Sequence, residues 1–291
     1  MEKVKTKLLV LGSTGMLGHT LFHYLENNSD FELHDVVYRN KLRDESVVCD
    51  VTNAEKLEAV ICTINPDVIV NCIGVLIKGS QHNPANAIYI NAFLPHKLAN
   101  IADKLQAKLI HVSTDCVFSG KKGAYLEKDY RDADDTYGRS KALGEMDCEN
   151  HVTVRTSIIG PEIKTKGEGL LHWFLNAEGD INGFTTAYWG GVTTLELSKA
   201  ILEMINQDIR GLINITNGEA ISKFELVSLF KTAFNRKQIS ISAFEGKQVN
   251  KSLKSSREDF NFQVSSYKTM VQEMATEIYK NKNRYTPYYS L

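Results

Sequence analysis

Of the twelve tyrosines in this chain of 291 residues, one, Tyr137, is followed four positions later by a lysine, Lys141. On a helix that spacing stacks the two side chains on one face. A free phenol titrates near ~10 and is a poor acid or base at neutral pH, whereas a neighbouring ammonium favours the phenolate and draws the pKa toward the working range. The pair is a candidate for proton transfer at an oxygen; its alternative is an ordinary surface helix, DTYGRSKALGEM. Upstream, the segment KLIHVSTD reads as a strand ending in two hydroxyls, Ser113 and Thr114. Ligands of open α/β sheets sit beyond the carboxyl ends of strands, so hydroxyl, phenol and ammonium are expected in one neighbourhood.

A second group of residues suits a phosphate. GSTGMLG, that is Gly12, Ser13, Thr14, Gly15, Met16, Leu17 and Gly18, follows the strand-like KLLVL and opens a helix, HTLFHYLEN. A dinucleotide pyrophosphate needs backbone N–H groups at a helix N-terminus and glycines that let the chain turn and approach it. The spacing is GxxGxxG rather than GxGxxG, and the bare alternative is a tight turn. Asp35, inside the strand FELHDVV, and Arg39, just past its end, are the rival readers of the adenosine ribose. An acidic residue would suit the hydroxyls of NAD and an arginine the 2′-phosphate of NADP; the position of Arg39 at the strand end favours NADP, with NAD as the other option. Arg39 could also be a solvated loop charge. In CDVT, Asp50 could accept from the adenine amine or cap the helix that begins in TNAEKLEAV.

The elements that must position these groups are written in the hydrophobic pattern. KLLVLG, FELHDVV, SVVCDV, DVIVNCIG, KLIHVS and VTVRTSII alternate with helix-length segments, which predicts an α/β fold with a Rossmann-type doubly wound parallel sheet. VLG, VIVNCIG and LIHVS are apolar without alternation, as central strands are. After Gly160 the regularity fails. GLINITNG reads as one more strand, and helices are expected in GGVTTLELSKAILEMINQ, in KFELVSLFKTAFN with Leu226, Leu229, Phe230 and Phe234 on one face, and in SYKTMVQEMATEIYKN. The expected division is a dinucleotide-binding domain over 1–160 with a returning segment about 187–216, and a smaller C-terminal substrate-binding lobe over 161–186 and 217–291.

Composition sets the outer limits. Thirty-four basic against 35 acidic residues give a formal net charge of -1, so no overall field draws the chain to nucleic acid or an anionic membrane. The start MEKVKTK lacks the apolar core of a signal peptide and no run is long enough to span a bilayer, so a cytoplasmic protein without membrane contact is expected. The cysteines, Cys49, Cys62, Cys72, Cys116 and Cys148, form no CxxC pair, and the histidines show no HxxxH or HExxH spacing; neither a disulfide framework nor a metal is expected. The pattern neither requires nor forbids a homodimer.

GSTGMLG, CDVT, NCIG at Asn71 to Gly74, Asn91 in YINAFLPHKLA, VSTDCVFSG, YGRSK and VRTSIIG together resemble the extended short-chain dehydrogenase/reductases, and within them the dTDP-4-dehydrorhamnose reductase group. The resemblance covers nearly the whole chain. It implies that Thr114 hydrogen-bonds a substrate carbonyl, that Tyr137 donates the proton, that Lys141 tunes Tyr137 and holds the nicotinamide ribose, and that the hydride comes from NAD(P)H. It also implies that Asn91 orders the catalytic helix and a relay water, and that Val51, Cys72, Ile73, Gly74 and Ser113 line the cofactor. Read from its neighbours alone, Asn91 could be a helix cap, with Pro95 marking a kink or late start.

Members of the superfamily that dehydrate sugars resemble this chain but carry Asp-Glu after the threonine, where Asp115 and Cys116 stand here. The acid is kept and the base is gone, so elimination is not expected. The leading expectation is an NAD(P)H-dependent reductase of a keto group, C4 first, on a nucleotide-linked 6-deoxyhexose. The alternatives are a nucleotide-sugar epimerase with bound NAD, and a non-catalytic NADP-binding regulatory subunit. Asp115, Cys116, Trp189, Lys254 and Arg257 are candidates for substrate contact; for Trp189 core packing, and for Lys254 and Arg257 a solvated basic face, are the plainer uses.

Overall fold

The computed structural model describes residues 5–289 and 291. Its first half runs β1 (Lys7–Leu11), α1 (Met16–Asn28), β2 (Glu32–Val37), β3 (Val47–Val48), α2 (Ala54–Ile64), β4 (Val68–Asn71), α3 (Ile77–His82) and α4 (Pro84–Ile88). A π-helical turn, Tyr89–Phe93, leads straight into α5 (Leu94–Leu105), followed by β5 (Lys108–Val112), a 3-10 turn at Asp115–Val117, α6 (Thr136–Leu143) and β6 (Val152–Arg155). The second half holds β7 (Ile158–Ile159), α7 (Leu170–Leu175), β8 (Asp180–Phe184), β9 (Ala187–Trp189), β10 (Val192–Thr193), α8 (Thr194–Asn206) and β11 (Gly211–Asn214). It closes with β12 (Ile221–Ser222), α9 (Lys223–Ala233), β13 (Ser240–Phe244), β14 (Val249–Asn250), α10 (Tyr267–Lys280) and α11 (Lys282–Tyr285).

Strands pleat, so neighbouring side chains leave on opposite faces. In β1, Leu8 and Val10 join a core with α1 and α8, while Leu9 and Leu11 join another with α2 and α5. Burial on both faces explains why these strands lack polar alternation. Seven strands form one parallel sheet in the order β11-β6-β5-β4-β1-β2-β3. The switch point between β1 and β4 opens a crevice at their carboxyl ends.

The C-terminal elements depart from the simplest sequence reading in one respect. β9 pairs with β12 and β14 in a separate small sheet and β10 pairs with β7, so within 187–216 only β11 enters the central sheet. Between β6 and β11 the chain therefore leaves the sheet, builds part of the lobe, and returns. The expected helices form as α8, α9 and α10, with Leu226 and Phe230 buried in α9 and Phe234 buried at its end.

Candidate active site

Gly12 ends β1 with φ +83, donates to Val36 O at 2.8 Å and accepts from Gly15 N at 2.9 Å. A side chain at Gly18 would place its Cβ 2.1 Å from Gly12 O, so α1 can meet the loop only through glycine. Gly15 caps α1 without any side-chain hydrogen bond, and no acidic residue occupies the first turn. The glycine loop borders a cavity of about 460 Å³ that runs from Gly12, Thr14 and Gly15 past Val36–Tyr38 and Cys49–Thr52 to Cys72–Val75. A dinucleotide fits this cradle: a Cβ at Gly12 would sit 2.9 Å from Ile73 Cγ1, leaving bare backbone where an anion must approach.

The predicted cofactor residues divide into two groups. Thr14, Gly15, Asp50, Val51, Cys72, Ile73 and Gly74 line the cavity. Ser13 and Leu17 turn away, Leu17 into the core and Ser13 onto Asp35 Oδ2 at 2.5 Å. Asp35 also receives Ser46 Oγ at 2.7 Å and Arg43 Nε at 3.2 Å. It is a buried tie between the glycine loop and the segment after β2, with its oxygens already occupied. Arg39 stacks its guanidinium 4.5 Å from the ring centre of Tyr38, which lines the cavity. Asp50 accepts from the Thr52 backbone and hydroxyl, and these bonds, helped by the Arg39 charge, hold its carboxyl below the ordinary range. The helix cap is not Asp50 but Asn53, which accepts from Lys56 N at 3.0 Å; Asp50 lies too early to reach those donors.

Thr114 and Tyr137 are brought together: the Thr114 side chain lies close enough to act on the phenol and favours its charged form. The threonine also caps the 3-10 turn through Cys116 N at 3.2 Å, which fixes its hydroxyl, and Asp135 caps α6 through Gly138 N at 2.8 Å, which fixes the start of the tyrosine helix. Burial, the Cys116 thiol and Asp115 push the phenol above its usual value against the influence of Thr114. Lys141 turns its Nζ inward to Val112 O at 2.7 Å, and its charge is not among the main influences on the phenol. Burial lowers Lys141 to about 8, against the charges of Glu145 and Cys72.

Asn91 is fully buried and is not a helix cap. It sits in the π-helical turn, accepts from Val75 N at 2.8 Å, and donates to Val75 O at 2.9 Å and Ser140 Oγ at 3.1 Å. One amide thereby clamps the cavity wall to α6, and Pro95 falls in the first turn of α5, directly after the π-helical turn.

Ser113 gives its hydroxyl to Glu145 Oε1 at 2.6 Å, so that side chain is structural. Glu145 and Arg155, both without side-chain exposure, form a bidentate pair at 2.9 and 2.6 Å, and Arg131 also binds Glu145. Burial alone would raise the Glu145 carboxyl, but Arg155, Ser113 and Arg131 together hold it below its ordinary value. Arg155 continues to Asn214 Oδ1 at 3.3 Å. No sequence spacing marks this network, which joins β5, α6, β6 and β11; only the apolar setting of Arg155 in VTVRTS hinted at a buried charge.

Among the substrate candidates, Asp115 and Cys116 stand beside Thr114 and act on the phenol. Burial raises the Asp115 carboxyl, opposed by Lys251 and by hydrogen bonds from Thr114, Cys116 and Ser157. Trp189 is buried against Tyr267 with ring centres 5.6 Å apart. Arg257 spends its donors on Asp259, Arg210 O and Leu212 O, bracing β11, whereas the Lys254 side chain is exposed.

A doubly wound sheet, a glycine cradle at its switch point and a Thr-Tyr-Lys group beyond β5 define the extended short-chain dehydrogenase/reductase class. Within that class, the pattern of the RmlD substrate binding domain matches residues 6–279, and the chain belongs to this family. It is similar to a dTDP-4-dehydrorhamnose reductase of Mycobacterium tuberculosis, 26% identical over 75% of this chain and 72% of that protein. It is similar to the same degree, 26%, to methionine adenosyltransferase 2 subunit beta of Danio rerio, over 79% of this chain and 74% of that one. In structure it resembles a dTDP-4-dehydrorhamnose reductase of Bacillus anthracis in complex with NADP, with TM-score 0.79 and 20% identity over 94% of this chain and all, 100%, of that one.

Proposed function

We propose that this chain is an NADPH-dependent reductase of a keto group, C4 first, on a nucleotide-linked 6-deoxyhexose. The observation that carries it is Thr114 standing close enough to Tyr137 to act on its phenol, together with a glycine-walled cavity that fits a dinucleotide. When bound, the reduced nicotinamide supplies the hydride. Thr114 Oγ1 and the Tyr137 phenol then both donate to the keto oxygen, and the phenol's proton completes the hydroxyl. The raised phenol keeps its proton at neutral pH, the form a donor needs. Lys141, swung out from Val112 O, is the cation that stabilises the resulting phenolate and holds the ribose. Arg39 over Tyr38 suits the 2′-phosphate of NADP, and Asp35, its oxygens occupied, cannot read the ribose of NAD.

The test is NADPH and NADH oxidation against a panel of nucleotide-linked keto-sugars. Tyr137→Phe should lose turnover by about 10²-fold or more while still binding NADPH; a mutant with full activity refutes the assignment. A second reading, a dinucleotide-binding regulatory subunit, draws on the similarity to methionine adenosyltransferase 2 subunit beta. A stable copurified partner with no NADPH oxidation on any member of the panel would favour it.

A further inference from the structure

Lys141 has a neighbour that the reduction chemistry does not use. Its Nζ lies 3.5 Å from Nε2 of His111, a fully buried residue of β5. Nδ1 of the same ring lies 3.1 Å from Nδ2 of Asn71, the cross-strand partner of His111 in β4. Asn71 Oδ1 accepts from Ile73 N at 3.1 Å, so its NH₂ must face the ring. A donor at Nδ1 requires a lone pair there, and a neutral ring with its lone pair on Nδ1 carries its hydrogen on Nε2. That N–H points at Lys141.

An ammonium has three donors and no lone pair, so it cannot receive this N–H; a neutral amine can. We propose that the Asn71–His111 relay makes the inward position of Lys141 selective for the uncharged amine, so that the lysine takes up a proton from solvent when it swings out toward Tyr137. Asn71 and His111 are then positioning residues that act through Lys141. The outward half of this cycle rests on the reductase reading above, whereas the inward half stands on the contacts alone.

The surroundings agree with the assignment. The groups facing Lys141 are Cys72 after β4, His111 on β5 and Glu145 past the end of α6, and His96 on α5 acts on His111. Burial, with Lys141 and His96 nearby, keeps the ring well below its ordinary value and so neutral. The Lys141 amine, held at about 8, is within reach of its neutral form near physiological pH.

The experiment is a long-range ¹H–¹⁵N correlation spectrum of the histidine rings between about pH 6 and pH 9, with His111→Phe identifying the signal. The expected result is a ring that does not titrate and carries its hydrogen on Nε2. Asn71→Asp should reverse the relay: a carboxylate accepts from Nδ1–H, and the Nε2 lone pair then receives the lysine ammonium. The Lys141 ¹³Cε titration, assigned with Lys141→Met, should then rise from about 8 by about one pH unit or more, a tenfold change in the proton's dissociation constant. A wild-type ring with its hydrogen on Nδ1, or a charged ring, overturns the proposal without need of the variant. So does a lysine titration unmoved when the tautomer has flipped. Neither measurement uses turnover, so failure of the reductase assay and failure of the relay are separately visible.

Discussion

Removing Arg155 tests whether the buried network beneath Thr114 holds the site. In Arg155→Met, the Glu145 carboxylate loses its bidentate partner and keeps only Arg131 and Ser113. Breaking one side of a buried ion pair costs about 3–5 kcal/mol, here the loss of the bidentate partner of a carboxylate that Arg131 and Ser113 compensate only in part. At about 2.1 cal/mol/K per residue over 291 residues, the unfolding entropy is roughly 0.6 kcal/mol/K, so Tm should fall by about 5–8 °C. The loss should depend on pH. In the wild type the carboxyl is held below its ordinary value, so its stabilisation is present above the unfolded pKa of ~4.3 and is lost as pH falls through the folded value. In the variant, burial dominates and raises the carboxyl. The deficit should therefore be greatest near neutrality and shrink toward about pH 5. Urea unfolding at both pH values measures it. The double variant Glu145→Leu/Arg155→Met should be less destabilised than the sum of its singles by about 2 kcal/mol. A pH-independent loss, or strictly additive singles, would refute the reasoning.

Other outcomes follow from single contacts. Gly18→Ala puts a methyl 2.1 Å from Gly12 O and must displace the glycine loop, and titration calorimetry should show dinucleotide affinity down by about tenfold or more, as expected from losing a charge-assisted hydrogen bond at the loop. Arg39→Ala should weaken NADPH by about tenfold or more and leave NADH nearly unchanged, read as a ratio of dissociation constants. Asn91→Ala strands the Val75 N–H and carbonyl; it should cost about 2 kcal/mol in urea unfolding and weaken dinucleotide binding, because Val75 lines the cavity.

The strands were legible because burial on both faces removes the polar alternation, and the glycine loop because Gly12 and Gly18 are demanded by backbone geometry. What was not legible depends on pairings between distant segments. Asp35 was the less favoured rival to Arg39 as ribose reader, and only the fold shows Ser13 and Ser46 on its oxygens. Ser113 looked like a ligand residue until Glu145 claimed it. The YxxxK spacing placed Tyr137 and Lys141 on one helix face, yet a rotatable lysine chose Val112 O over the phenol. The π-helical turn around Asn91 has no signature in YINAF, because it arises where Val75 and Ser140 are brought to that side chain.

The return of β11 to lie beside β6 has a consequence for cutting this chain. β6 is buried along its whole length, and without β11 its far side would present unpaired N–H and carbonyl groups beside an apolar strand, a template for joining other chains. A fragment ending near residue 160 would also strip Arg155 of Asn214. The seven-stranded sheet is thus not severable in one stroke: a core that keeps it would have to be stitched from two pieces, with a short bridge replacing what lies between them.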